Sequence, residues 1–204
     1  LARRWNWACA KAGNRANLPK RQNILQNTPM PIKSLISEQQ IADRVESLAA
    51  EIAAVAIGKP ILMVALLRGS FIFAADLARA LHRHGIELEF DFLGLSSYGK
   101  GTRTSGDVKV TSDTREPIEG RHVLVVDDIL ESGLSLICAT GMMFERHAAS
   151  VHTVVLLEKP GKRKADIQAD FVGFTIEDHF VIGYGLDYAG KYRELPFIGV
   201  LNEG

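Results

Sequence analysis

Apolar residues follow a regular pattern from residue 37 onward, and this pattern predicts alternating helices and strands. Within residues 41–55 they recur at spacings of three and four, which predicts a helix with one buried face. Ser37 and Gln40 resemble a capping box before it, and Gly58 and Pro60 follow it. Two further helices are predicted over 71–84 and 134–147. Strands are predicted where runs are apolar or alternate with polar residues: 61–67, 88–95, 108–111, 122–126, 151–157, 171–174 and 180–183.

Strands that alternate with helices predict an α/β fold with a mainly parallel, twisted sheet flanked by helices. The length of 204 residues suits one domain, which we place at 31–204. The segment 98–107 contains glycines and no apolar face, which predicts a loop.

Composition narrows the functional classes. Twenty-four basic and 24 acidic residues give zero formal charge, which argues against a dedicated nucleic-acid binder. No apolar run is long enough to predict a transmembrane helix, so no membrane partner is expected. Cys9 and Cys138 cannot form a disulfide framework and lack zinc-site spacing, which favours a reducing, cytoplasmic location.

The basic residues are concentrated at the amino terminus. Residues 1–37 hold seven basic side chains and no acid, leaving 17 basic and 24 acidic residues, a net charge of −7, in the remainder. Residues 1–30 lack sustained periodicity, so we interpret them as a poorly ordered leader. A transit peptide and a start-site artefact are alternatives; we favour the artefact because Met30 precedes the first helix signal.

The segment 123–135 has the most informative sequence, VLVVDDILESGLS. A strand leads into Asp127 and Asp128, and a glycine and two serines precede a helix. Free N–H groups and the dipole at a helix N-terminus bind phosphate, and serine hydroxyls add donors. Paired carboxylates can accept protons from a diol or hold a cation. The combination suits a ribose 5-phosphate, and neither a Walker loop nor a dinucleotide fingerprint is present.

This segment resembles the phosphoribosyl-pyrophosphate motif of type I phosphoribosyltransferases, most closely the hypoxanthine/guanine branch. Three other stretches within residues 35–201 support the resemblance. Residues 67–70 (LRGS) look like the pyrophosphate loop, and Ser97 with Tyr98 and the glycine-rich segment after them looks like a mobile lid. The third stretch combines Lys159, DFVGF at 170–174, Phe180, Val181, Asp187, Tyr188 and Arg193. The resemblance also implies a small hood built from the chain's terminal parts.

The resemblance implies a role for each motif residue that faces phosphoribosyl pyrophosphate. Asp127 and Asp128 would hold the ribose hydroxyls, and Arg193 would clamp pyrophosphate. Arg68, where the family often has Lys, and Gly69 would meet pyrophosphate through backbone N–H groups, often across a non-proline cis peptide. The residues implied to cradle the 5-phosphate are Ser132, Gly133, Leu134 and Ser135. The implied cofactor is Mg²⁺, on Asp187 and on Asp127 and Asp128.

The resemblance also implies a purine site. Lys159 would donate to the purine O6, and Phe180 would stack on the ring. Val181 and Asp187 would contact the base edge through backbone carbonyls. Glu131 stands where the family usually has an aspartate acting as the base near purine N7, and its extra methylene moves the carboxylate by about 1.5 Å.

The expected activity is transfer of a 5-phosphoribosyl group from phosphoribosyl pyrophosphate to a 6-oxopurine, by a homodimer or homotetramer. A regulatory phosphoribosyltransferase-like protein that binds RNA and senses nucleotide is the alternative. It needs a broad basic surface, and the net charge of −7 over residues 38–204 argues against it.

Overall fold

The computed structural model describes residues 32–56, 58–97 and 108–201, and within them the strands form two sheets. The larger sheet has the spatial order β4 (Val108–Ser112), β3 (Leu88–Ser97), β2 (Ile61–Leu67), β5 (His122–Leu130), β6 (Ser150–Glu158) and β7 (Phe171–Thr175). The smaller sheet has the order β1 (Ile32–Ile36), β9 (Ile198–Leu201) and β8 (Val181–Ile182). The α-helices among the described residues are α1 (Glu38–Ala56), α2 (Phe71–Arg83) and α3 (Leu134–Glu145), and a short 3-10 helix spans Pro160–Lys162.

The large sheet is mainly parallel and is covered on both faces. Its strands pair in parallel from β3 to β7, and β4 joins antiparallel at one edge. In β2, Met63 and Ala65 pack with the apolar faces of α1 and α2, whereas Leu62 and Val64 pack with that of α3. This two-sided burial explains why β2 is a continuous apolar run, as expected of an inner parallel strand. The predicted α/β architecture is confirmed.

The helix α1 has the capping box and the buried apolar face that its sequence predicts. Ser37 N donates to Gln40 Oε1 at 2.9 Å and Gln40 N donates to Ser37 Oγ at 3.3 Å, so the predicted capping box is present. The buried face of this helix consists of Ile41, Val45, Leu48, Ala49 and Ile52. Because Leu48 is fully buried, its truncation to Ala would cost about 2–5 kcal/mol of folding stability.

The small sheet is the hood, and it joins the two ends of the described chain. β1 pairs antiparallel with β9, with Lys33 opposite Val200, and β9 pairs antiparallel with β8. Neither β1 nor β9 was predicted from the apolar pattern. Three of the five β1 residues are exposed, so β1 lacks the run of buried side chains that marks the inner strands.

Two of the differences between the predicted and observed strand boundaries bear on the site and the hood. β5 continues to Leu130 rather than ending at residue 126, because β6 pairs with it as far as Leu130 opposite Glu158. Asp127 and Asp128 therefore lie within the strand rather than after it. The predicted strand at 180–183 contracts to Val181–Ile182 and belongs to the hood. The predicted leader and the loop at 98–107 lie outside the described residues. No described helix is long and apolar enough to span a membrane.

Candidate active site

A polar cavity of about 320 Å³ lies at the carboxyl edge of the large sheet, the edge at which open α/β sheets bind ligands. Its walls come from segments that are far apart in sequence: the turn after β2, the end of β5, the start of α3 and the loop after β8. The predicted site residues that line it are Arg68, Gly69, Asp127, Asp128, Ser135, Asp187 and Arg193. The fold therefore brings the predicted ribose and pyrophosphate residues together in one cavity, with Ser135 from the four predicted phosphate-binding residues.

The turn after β2 lies directly against the acidic end of β5. The Leu67–Arg68 peptide bond is cis. A Cβ on Gly69 would lie 1.5 Å from Asp128 Oδ2, so only glycine fits there. Ser70 is fully buried, and its hydroxyl donates to the Leu66 carbonyl at 2.5 Å, closing the turn into α2. The backbone of this turn is thereby held at the cavity wall.

Asp127 and Asp128 are adjacent acids in a poorly solvated part of the strand. Burial, together with the Asp128 charge, holds the pKa of Asp127 well above its usual range, and burial also raises the pKa of Asp128. Asp127 Oδ1 accepts a hydrogen bond from Asp128 N, and Asp128 Oδ1 accepts one from Ile129 N, each at 2.9 Å. One oxygen of each carboxylate thus accepts a hydrogen bond from a backbone N–H group. Burial still makes the ionised form of both carboxyls energetically unfavourable.

The N-terminus of α3 carries the predicted phosphate cradle. Gly133 precedes the helix with φ +81°, a left-handed conformation that favours glycine. Leu134 N lies 3.4 Å from Ser132 Oγ, and Ile137 N donates to the Gly133 carbonyl at 3.0 Å. The first-turn N–H groups, which lack helical acceptors, and the positive end of the helix dipole therefore face the same edge as the Asp127–Asp128 pair.

Arg193 and Asp187 form another part of the cavity wall. Arg193 Nη2 lies 2.6 Å from Asp187 Oδ1, and its Nη1 donates to the Gly185 carbonyl. Asp187 Oδ2 accepts a hydrogen bond from Gly190 N at 2.6 Å. In the described part of the chain, no three His, Cys, Asp or Glu side chains form a metal cage. Asp127, Asp128 and Asp187 each place a carboxylate at the cavity wall, but the three do not form a metal-binding cluster by themselves.

The predicted base-side residues Lys159 and Glu131 meet beside the β5–α3 turn. Lys159 is only 6% exposed, and its ammonium lies 3.6 Å from Glu131 Oε2 and 3.7 Å from Asp178 Oδ1. Lys162 lies 3.4 Å from Glu131 Oε1 and 2.8 Å from Asp178 Oδ1. Lys162 and Asp178 are not among the predicted site residues, because a charged residue in a loop gives no periodic signal that distinguishes it from a solvated one.

Phe180 and Val181 differ in exposure although they are adjacent. Phe180 is 53% exposed, and its ring contacts Tyr188 edge to face with 5.7 Å between centroids. The Val181 side chain is buried in the core, and its backbone pairs with Val200 in the hood. Phe180 thus presents an aromatic surface, whereas Val181 can offer a ligand only backbone groups.

The segment after β6 is hydrogen-bonded along the turn that leads into α3. Lys159 N donates to the Leu130 carbonyl at 3.0 Å, and Lys164 N donates to the Ser132 carbonyl at 2.9 Å. Arg163 Nη1 donates to the Leu130 carbonyl at 2.9 Å and to the Glu131 carbonyl at 3.2 Å. The segment after β6, which carries Lys159, is therefore hydrogen-bonded directly to the turn that leads into α3.

Two predicted lid residues are not placed at the site. Ser97 is the last residue of β3, and the structure describes its backbone only. Tyr98 and residues 99–107 lie outside the described residues.

The chain belongs to the phosphoribosyl transferase domain family, whose model matches residues 32–189. It is 46% identical over 169 residues to hypoxanthine-guanine phosphoribosyltransferase of Bacillus subtilis, covering 83% of this chain and 92% of that protein. It is 45% identical over 170 residues to hypoxanthine phosphoribosyltransferase of Buchnera aphidicola, covering 82% and 94%. A mutant of Trypanosoma cruzi hypoxanthine phosphoribosyltransferase, solved as a ternary substrate complex, has a TM-score of 0.79 at 43% identity, covering 84% and 95%.

Proposed function

We propose that this chain is a purine salvage enzyme. It transfers the 5-phosphoribosyl group of phosphoribosyl pyrophosphate to N9 of hypoxanthine or guanine, and it releases pyrophosphate with IMP or GMP. The observation that carries the proposal is the convergence of the Asp127–Asp128 pair, the α3 N-terminus and Arg193 at one cavity, with the buried Lys159 ammonium on the adjoining segment. Relatives named for this activity, at 42–46% identity, support it.

The ribose phosphate fits the β5–α3 segment. The diol of the ribose donates to the Asp127 and Asp128 carboxylates. The 5-phosphate accepts hydrogen bonds from the backbone and hydroxyls of Ser132, Gly133, Leu134 and Ser135. The support is the first-turn N–H groups of α3, which are donors without helical partners.

The pyrophosphate fits between the turn after β2 and Arg193. The Arg68 and Gly69 backbone and the Arg193 guanidinium supply donors, and Asp187 holds Arg193 at 2.6 Å. The donor set also fits Mg²⁺, which binds hard oxygens and is usually held by one or two carboxylates together with substrate phosphates. Asp187, or the Asp127–Asp128 pair, would hold the ion against pyrophosphate oxygens. When bound, the ion neutralises the charge of the leaving group.

The purine fits beside Lys159. Its ammonium donates to O6, which favours 6-oxopurines because adenine presents an amino donor at that position. Phe180 stacks on the base through its exposed ring. The backbone carbonyls of Val181 and Asp187 accept from the base edge.

The chain's own residues then align the two reactants and exclude water from them. The bond from ribose C1′ to pyrophosphate breaks, and the bond from purine N9 to C1′ forms, through a transition state with positive charge on the ribosyl group, as in glycoside cleavage. Glu131 takes the proton that the base loses near N7. The binding groups hold both reactants in line. Ser97 and Tyr98, with the segment after them, exclude water as a lid.

One experiment tests the proposed function. The protein is incubated with phosphoribosyl pyrophosphate, Mg²⁺ and each nucleobase in turn, and the nucleotide formed is measured. We expect turnover with hypoxanthine or guanine that stops when EDTA removes the metal. Turnover confined to adenine or to pyrimidines would refute the proposal.

We also propose that residues 31–204 are one catalytic domain and that it assembles as a homodimer or homotetramer. A T. cruzi relative, 42% identical with a TM-score of 0.80, was solved in a study of how its C-terminal region affects oligomeric state and activity. Light scattering after size exclusion gives the mass of the assembly in solution.

A further inference from the structure

Four charged side chains form a ring beside the base site, and two of them, Lys162 and Asp178, have no role in the mechanism above. The Lys162 ammonium lies 2.8 Å from Asp178 Oδ1 and 3.4 Å from Glu131 Oε1. The Lys159 ammonium lies 3.6 Å from Glu131 Oε2 and 3.7 Å from Asp178 Oδ1. Each carboxylate therefore faces both ammonium groups, and the formal charge of the ring is zero.

The distances within the ring separate the tasks of the two lysines. Lys162 forms an ion pair with Asp178 at 2.8 Å, and its ammonium lies closer to Glu131 than that of Lys159 does, at 3.4 Å against 3.6 Å. At 3.6 and 3.7 Å, Lys159 is beyond hydrogen-bond distance of both carboxylates. Lys162 therefore restrains the Glu131 carboxylate, and the donors of Lys159 toward these acids stay uncommitted for a base.

Glu131 needs such a restraint because its side chain is longer than an aspartate. Arg163 fixes the Glu131 backbone through the Leu130 and Glu131 carbonyls. The Glu131 side chain is 39% exposed, and the described ion pairs that hold its carboxylate come only from Lys159 and Lys162. A displacement of a catalytic group by 1 Å can cost about 100-fold in rate.

We propose that Lys162, anchored by Asp178, is a positioning residue that holds the Glu131 carboxylate at the edge of the purine. This inference rests on the proposed function, because it assigns Lys162 to the proton transfer in that reaction. Lys162 acts through Glu131 and contributes to kcat more than to substrate affinity. Asp178 lies two residues before Phe180, so the same contact also ties the stacking segment to Glu131.

Single variants test whether the ring supports turnover. We expect Lys162→Met and Asp178→Asn each to lower kcat with hypoxanthine by about fivefold to tenfold, with the KM for phosphoribosyl pyrophosphate within about twofold. Lys162→Arg keeps the charge and should retain kcat within about threefold. The matched control is Lys33→Met, since Lys33 is exposed on β1 and makes no ion pair among the described residues.

A double-variant cycle distinguishes positioning from a general structural role. Glu131→Asp shortens the side chain, so Lys162 no longer has an extended carboxylate to hold. In that background, Lys162→Met should change kcat by less than about twofold. The same loss in both backgrounds, or no loss in the Glu131 background, would overturn the inference. Melting curves establish whether each variant folds. If Lys162→Met does not fold, the kcat values of Lys162→Arg and Asp178→Asn test the inference in its place. A wild-type protein without 6-oxopurine turnover would overturn the proposed function itself.

Discussion

Replacing both Asp127 and Asp128 by asparagine should abolish activity while stabilising the fold. Asparagine has nearly the shape of aspartate and keeps Oδ1, so the backbone hydrogen bonds from Asp128 N and Ile129 N survive. What disappears is the cost of two poorly solvated, adjacent negative charges. The carboxylates that we propose accept the ribose hydroxyls disappear with them, so turnover should fall below detection.

The stability gain follows from the raised pKa values of the two carboxyls. The folded protein binds these protons more tightly than the unfolded chain, whose aspartates have a pKa of about 3.9. The free energy of unfolding therefore falls as pH rises from about 3.9 through the raised pKa values. Each unit of pKa difference between the folded and unfolded states costs about 1.4 kcal/mol at pH 8. One such unit corresponds to a rise in Tm of about 3–6 °C in the variant.

Thermal melts of wild type and variant at pH 8 and near pH 4, without substrate, measure this effect. The variant should melt higher at pH 8, and its advantage should shrink toward pH 4, where the wild-type carboxyls bind protons. Phosphoribosyl pyrophosphate with Mg²⁺ at about 100 times its Kd should stabilise the wild type by about 2.7 kcal/mol and leave the variant unchanged. Asp43→Asn on the exposed side of α1 is the control, and its Tm should not change. A variant that melts lower than wild type at pH 8 would show that the acids serve the fold.

Three further predictions concern the base, the amino terminus and the contact between α2 and the loop after β8. Hypoxanthine or guanine should be used at least tenfold faster than adenine, and Lys159→Met should lower kcat/KM for hypoxanthine by about 10- to 100-fold; equal rates with adenine would refute the role of Lys159. Deletion of residues 1–29 should leave Tm and turnover unchanged, because the family match begins at residue 32; a loss of either would refute it. Tyr184→Phe removes the 2.5 Å hydrogen bond from the Tyr184 hydroxyl to Asp76 and should cost about 1–3 kcal/mol, measured by urea unfolding, with Tyr192→Phe as the comparison.

The elements that could be predicted are those whose signal is local. The apolar spacing from Ile41 to Ile52 reflects one helix face, and the run in β2 reflects burial on two faces. β1 and β9 could not be predicted, because β1 is a strand through pairing with β9 across more than 160 residues, and β9 lies between β1 and β8 in the hood. The end of β5 was misplaced for a similar reason. Aspartates are disfavoured in strands, but pairing with β6 overrides that preference.

The candidate site likewise contains residues that the local sequence could predict and residues that it could not. Asp127, Asp128 and the residues of the α3 N-terminus form one contiguous motif, so the sequence alone predicts that they lie close together. Lys162 and Asp178 are sixteen positions apart and meet only because two loops after β6 and β7 fold toward each other. Neither residue belongs to a motif, and each is an ordinary charged loop residue until the fold places it beside Glu131.

The hydrogen bonds between the segment after β6 and the β5–α3 turn set the distance between the proposed base pocket and the proposed phosphate cradle. Lys159 N, Arg163 and Lys164 N contact the carbonyls of Leu130, Glu131 and Ser132 directly. The distance between the proposed base pocket and the proposed phosphate cradle is therefore fixed by these two segments. It does not depend on the twist of the more distant strands of the sheet. A transplant of purine preference into another member of this family would have to carry both segments together, because exchanging one alone would change that distance.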